Sequence, residues 1–148
     1  LAFEFKMNKM VEFADTDLAG IMHFSRYFVY MEQVEHAFFR SLGLTIHDTS
    51  QEKTFGWPRV DVACNYKSPL RFEDEIEIHL IVKEKKAKTL SYQFTFFKIT
   101  EDGLVVTAVG TFKTVYVSLD KITGQFKSTV ISELINNKIE QAPLAFIK

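Results

Sequence analysis

Residues 15–25 read DTDLAGIMHFS, and they hold the groups best suited to chemistry. Asp15 and Asp17 carry carboxylates, which with an ordinary pKa of about 3.9 are ionised at neutral pH. Such a group can take a proton from water or attack an electrophilic carbon itself. Gly20 lets the backbone turn and come close to a ligand. Just beyond it a helix is expected to open near His23–Ser25. Free main-chain N–H groups there, aided by a macrodipole of about +0.5 charge, can hold the oxyanion that forms when a carbonyl is attacked. Each residue also has a plainer reading. An Asp before a helix commonly caps it or sits in a solvated turn, and Asp15 is expected to hold the turn by bonding nearby amides. His23 either faces the reacting carbonyl or flanks the pocket. Two turns into the helix, Glu32 could support the site or act as the base, whereas Glu35 reads as solvated or paired. His36, His47 and His79 lack ligand spacing, and Cys64 is the only cysteine, so no metal site is expected.

These groups must be positioned by the elements around them. Phe3, Phe5, Met7, Val11 and Phe13 share one side of a period of two, which predicts a strand over 3–13 interrupted at Lys9. Residues 14–23 read as a loop. The spacing then turns helical: Phe24, Tyr27, Phe28, Met31, Val34, Phe38 and Leu42 predict a helix from about Phe24 to Leu42, stopped by Gly43. Tyr30 and Phe39 widen its apolar stripe. An irregular connection is expected over 44–57. Alternation then predicts strands around Val60–Lys67, Glu75–Lys83, Leu90–Phe96 and 104–118, with a hairpin at EDGL. Gly110 suggests a bulge or a close approach of the helix. A short tail helix is expected near 129–139, capped by Ser128 or Thr129. A long helix with so broad an apolar side needs cover, and an antiparallel sheet wrapped around it is the economical solution.

The 148 residues suit one domain, 1–148, large enough for a substantial core. Fifteen Phe and five Tyr point to a thick aromatic core, an interface or an apolar pocket. A net charge of −1 offers no general attraction to nucleic acid or anionic membrane. No apolar run reaches the ~18 residues of a membrane span. The opening LAFEFKMNKM alternates like a strand and lacks the apolar core of an export signal. The expected location is the cytoplasm.

Phe13, Asp15, Thr16, Asp17, Gly20, Tyr27 and Glu32, followed by Pro58, Val60, Tyr66, Pro69 and Asp74, resemble the 4-hydroxybenzoyl-CoA thioesterase branch of the hot-dog superfamily. The likeness spans roughly residues 5–118, and its most specific element is the D-T-D-x-x-G turn with a Tyr seven residues after the Gly. It departs at Leu18, where relatives often carry Pro or Ala, a change expected to shape the acyl pocket. The resemblance implies an α+β hot-dog fold: a five-stranded antiparallel sheet around one long helix, with a short C-terminal helix. It implies an acyl-CoA thioesterase in which Asp17 is general base or nucleophile and amides near Phe24 polarise the carbonyl. Gly20 and Tyr27 would line the substrate. Lys85, Lys86 and Lys88, in the KEKKAKT turn at 83–89, would meet the coenzyme's phosphates, and Asn65, Tyr66, Lys67 and Ser68 would line the site from a second subunit. It further implies a homodimer or homotetramer, with no cofactor beyond the coenzyme A of the substrate; a carrier-protein thioester is the other substrate form. Two alternatives remain: a hot-dog dehydratase or hydratase, and a non-catalytic acyl-thioester-binding module. The acyl group, aryl or short to medium chain, is not specified by these residues.

Overall fold

Two periodicities, 3.6 over one segment and 2 over five others, become one helix and the sheet that covers it. The computed structural model describes residues 1–49 and 53–147. In chain order its elements are β1 (Glu4–Met10), α1 (Arg26–Ser41), β2 (Lys53–Gly56), β3 (Arg59–Tyr66), β4 (Glu75–Lys85), β5 (Thr89–Thr100), β6 (Gly103–Val115), β7 (Val117–Asp120), β8 (Phe126–Ser128) and α2 (Glu133–Asn136). The main sheet is five-stranded and antiparallel, in the order β1-β4-β5-β6-β3. Its inner face buries Ile76, Ile78, Leu80, Leu90, Tyr92, Phe94 and Phe96 with Tyr27, Tyr30, Met31, Val34, Phe38 and Phe39 of α1. This is the hot-dog arrangement. Gly110 of β6 is where the helix comes closest: a Cβ there would overlap the Met31 side chain, so the close-approach reading of this glycine holds.

The elements differ from the sequence expectation at their ends. β1 stops at Met10, and Phe13 belongs to a single 3-10 turn, Phe13–Asp15. Phe13 is therefore not on the buried side of a strand; it is 74% exposed and packs edge-on against Phe72. The helix opens at Arg26, two residues later than expected, because the Arg26 N–H closes a turn on the His23 carbonyl at 2.9 Å. It ends as expected at Gly43, whose φ of +71° few other residues adopt. The connection over 44–57, described except for 50–52, contains β2. That strand pairs with β7, and β7 with β8, in a three-stranded sheet that periodicity did not reveal. Strands of three or four residues are too short to show a period. The run 104–118 accordingly splits at Tyr116 into β6 and β7. The tail helix shrinks to one turn, capped by Ser132 rather than by Ser128 or Thr129, since Ser128 ends β8.

An acidic side chain is buried between α1 and the sheet. Glu35 of α1 is fully buried and ion-paired with Arg59 at the start of β3. Its Oε2 and the nearby Tyr92 hydroxyl are buried without a hydrogen-bond partner among the described residues. Burial pushes the Glu35 carboxyl up to about 7, against the pull of Arg59. The folded chain thus holds a proton that the unfolded chain has released, so the associated stability is complete below about pH 4.5 and is lost as pH rises through about 7. Unfolding free energy measured by denaturant titration is expected to fall by about 1–3 kcal/mol across that window. Glu35→Gln is expected to remove this component; an unchanged profile in the variant would place the titration elsewhere.

Candidate active site

The loop between β1 and α1 is pinned from below by Asp15. Its carboxylate is buried, with Oδ1 accepting from Arg26 Nε at 2.6 Å and Oδ2 from the Tyr30 hydroxyl at 2.5 Å. Its carbonyl accepts from the His23 N–H at 2.8 Å. The expected bonds from Asp15 to nearby amides are thus replaced by bonds to two side chains of the helix. Burial and the adjacent carboxylate hold the Tyr30 phenol above its ordinary pKa, so it remains the donor, and Lys9 lies over its ring at 4.7 Å.

Asp17 then turns the chain back. Its Oδ1 accepts from the amides of Ala19 at 2.8 Å and Ile21 at 3.3 Å, and its carbonyl from Gly20 at 3.0 Å. Gly20 has φ +80°, and open space surrounds the position a Cβ would take, so the glycine serves the turn and not a close contact. Oδ2 of Asp17 keeps no protein partner among the described residues. The Met22 N–H bonds the Leu70 carbonyl at 2.7 Å, tying the loop to the segment that follows β3.

Between these two segments lies an open cleft of about 470 Å³. Asp17, Phe24 and Tyr27 line one side; Tyr66, Lys67 and Ser68 line the other. The Tyr66 hydroxyl donates to the Phe24 carbonyl at 2.7 Å, which fixes that peptide, and the Phe24 N–H has no partner among the described residues. The Tyr27 and Tyr66 rings meet edge to face at 4.8 Å. Burial, with a smaller contribution from nearby Cys64, pushes both phenols up to about 12, so both are neutral. Ser25 stands at the helix cap without capping it: its hydroxyl sits 2.8 Å from His23 Nδ1.

Several expected site residues lie elsewhere. His23 does not line the cleft. Its Nδ1 accepts the Ser25 N–H at 3.2 Å and its ring stacks on Phe24, so the imidazole builds the turn. Tyr66, Lys67 and Ser68, expected from a second subunit, line the Asp17 cleft within one chain, because the Tyr66–Phe24 and Met22–Leu70 bonds hold both walls together. Asn65 faces the other side of the sheet. Lys85 donates to the carbonyls of Asn136 and Ile139, Lys86 pairs with Glu84 at 3.6 Å, and Lys88 sits exposed in the turn; none reaches the cleft. Glu32 is exposed, 3.9 Å from both His36 and Arg59, away from Asp17. Ile21, Met22 and Pro69 complete the lining. Ile21 and Met22 were missed because apolar side chains in a loop carry no chemical signal in sequence.

The model of one protein family, the thioesterase-like superfamily, matches residues 11–140. A protein of Aquifex aeolicus (strain VF5) named "Putative esterase" is 34% identical over 96 residues, 64% of this chain and 73% of its own. A 1,4-dihydroxy-2-naphthoyl-CoA hydrolase of Prochlorococcus marinus (strain NATL1A) is 25% identical over 147 residues, covering 95% and 93% of the two chains. A mutant 4-hydroxybenzoyl-CoA thioesterase solved with 4-hydroxybenzoyl-CoA superposes with a TM-score of 0.80 at 17% identity, over 93% of this chain and 99% of the other; that likeness is one of fold.

The Asp15 cluster yields a stability prediction. Tyr30→Phe removes one donor from a buried carboxylate while preserving the ring. It is expected to cost about 1–3 kcal/mol in urea denaturation; an unchanged midpoint would show that Asp15 is not held as described.

Proposed function

This chain belongs to the thioesterase-like superfamily, and we propose that it is an acyl-CoA thioesterase, hydrolysing a thioester to the free acid and coenzyme A. One observation carries the reading: an Asp17 carboxylate with an oxygen to spare and an unpartnered Phe24 N–H line the same cleft. The Phe24 N–H donates to the thioester carbonyl oxygen. It stands just before the 16-residue helix, whose N-terminal end adds positive potential as charge develops on that oxygen. Asp17 either takes a proton from the attacking water or attacks the carbon itself. In the first route water oxygen bonds the carbon, its proton passes to Asp17, and collapse breaks the C–S bond while the proton moves on to sulfur. In the second, the C–S bond breaks as the Asp17–carbon bond forms, coenzyme A leaves as the thiolate, and water hydrolyses the resulting anhydride, releasing the acid, restoring the Asp17 carboxylate and giving a proton to the thiolate. Coenzyme A enters as part of the substrate. The apolar walls, from Ile21, Met22, Phe24 and Tyr27, favour an apolar acyl group.

Thiol release from a panel of aryl and aliphatic acyl-CoAs, followed with a thiol reagent, tests this. Asp17→Asn is expected to lower turnover at least about a hundredfold, the loss typical of removing a group that acts on the transition state, with the folded circular dichroism spectrum retained. Full activity in that variant would remove Asp17 from the mechanism. Binding without turnover would favour the acyl-thioester-binding module, and addition or loss of water the dehydratase.

The chain also acts, in this proposal, as a homodimer. β3 is an edge strand of the main sheet, and Val60 and Val62 on it are 57% and 46% exposed. An open edge with apolar side chains is completed by a second copy pairing along it. That would also wall the open side of the cleft. Sedimentation at micromolar concentration is expected to read a dimer or a multiple of it; a monomer that still turns over substrate would overturn the pairing.

A further inference from the structure

Two peptides join His23, Phe24 and Ser25, and between them they carry four polar main-chain groups. Three are held. The His23 carbonyl accepts from the Arg26 N–H at 2.9 Å, and the Phe24 carbonyl from the Tyr66 hydroxyl at 2.7 Å. The Ser25 N–H donates to His23 Nδ1 at 3.2 Å. The fourth group, the Phe24 N–H, has no partner among the described residues. One restraint is an ordinary turn and one comes from the opposite wall of the cleft. The third comes from an imidazole outside the cleft lining.

That imidazole keeps the helix start out of its usual conformation. A serine in the capping position normally takes extended dihedrals and turns its hydroxyl onto the amides of the first turn. Ser25 does neither: its φ of −72° and ψ of −23° are helical, and its hydroxyl caps no amide. Because Nδ1 accepts the Ser25 N–H it carries no proton, so the hydroxyl 2.8 Å away donates to it too. One nitrogen thus occupies both donors of Ser25. The contact runs from a side chain to the amide two residues on, the geometry in which Asn or Asp holds a tight turn. The ring also stacks on that of Phe24, with centroids 4.5 Å apart. Released from Nδ1, Ser25 would be free to cap, and extended dihedrals there would rotate the Phe24–Ser25 peptide that Tyr66 holds.

We propose that His23 is a positioning residue: by keeping Ser25 helical and uncapped, its Nδ1 fixes the direction of the Phe24 N–H, the donor for the substrate oxygen. This rests on the thioesterase reading. The imidazole takes no part in making or breaking bonds. It gives up a conventional cap, which would stabilise the helix, for a main-chain donor of set orientation, a compromise found where activity and stability compete.

The test separates the ring from its nitrogen. His23→Phe keeps an aromatic ring beside Phe24 and removes the acceptor, whereas His23→Asn puts an amide oxygen within reach of the Ser25 N–H. His23→Phe is expected to lower kcat about tenfold, short of the roughly hundredfold loss of a whole oxyanion donor, with KM changed less than about twofold. Its melting temperature is expected not to fall, because Ser25 becomes able to cap. His23→Asn is expected to keep kcat within about threefold of wild type. Wild-type kcat in His23→Phe, or equal loss in both variants, would overturn the role. So would a lowered melting temperature in His23→Phe, which would make the histidine a stability residue, or a raised KM at constant kcat, which would make it a substrate contact. If the wild type releases thiol from no thioester in the panel, the thioesterase reading fails by itself. Amide hydrogen exchange then decides the positioning: Ser25 exchange at least about tenfold faster in His23→Phe, but not in His23→Asn, supports it, and unchanged exchange refutes it.

Discussion

A buried carboxylate at Asp15 is the constraint from which the geometry of the cleft follows. Left alone in a core, an ionised acid is strongly unfavourable. Here it is matched by a guanidinium at 2.6 Å and a phenol at 2.5 Å, both from the first turns of α1. Charge-assisted bonds of this kind contribute about 1.5–3 kcal/mol each. Arg26 is partly exposed, which screens its share, so the Tyr30 bond is the better-insulated half. The consequence is positional. The loop carrying Asp17 cannot slide relative to the helix without stripping Asp15 of its partners.

The rest of the site hangs from that anchor. With the loop fixed, the Met22–Leu70 main-chain bond sets the distance to the segment after β3. The Tyr66 hydroxyl then holds the Phe24 carbonyl, while the Phe24 N–H, in the preceding peptide, has no partner among the described residues. Neutral phenols suit this work, because burial makes their ionisation unfavourable well beyond neutral pH. In the proposed reaction, donors already in place would stabilise the charge that appears on the thioester oxygen.

The sheet divides the molecule into two chemical environments. Its inner face is largely aromatic and aliphatic, and the Glu35–Arg59 pair joins α1 to the start of β3 there. Its outer face carries threonines, amides and lysines at the alternate positions of the same strands. A period of two thus separates an aromatic interior from a polar exterior, and Lys67, just past the end of β3, borders both the Asp17 cleft and the outer face.

Much of this was legible in the sequence because it depends on local repetition. The helical spacing from Tyr27 to Phe38, the alternation in β3 to β6 and the glycine stop at Gly43 each reflect backbone geometry, which neighbouring residues dictate. The D-T-D-x-x-G turn was equally visible, since Asp17 bonds amides two and four residues away. What the tertiary structure decided was every relation between distant segments. Asp15 bonding Tyr30, Lys85 anchoring the tail carbonyls, and the short β2-β7-β8 sheet all join residues whose separation leaves no periodic trace. A side chain's type states which bonds it can make. Which partner it finds is settled only when the packed core brings candidates within about 3 Å, the reach of a hydrogen bond.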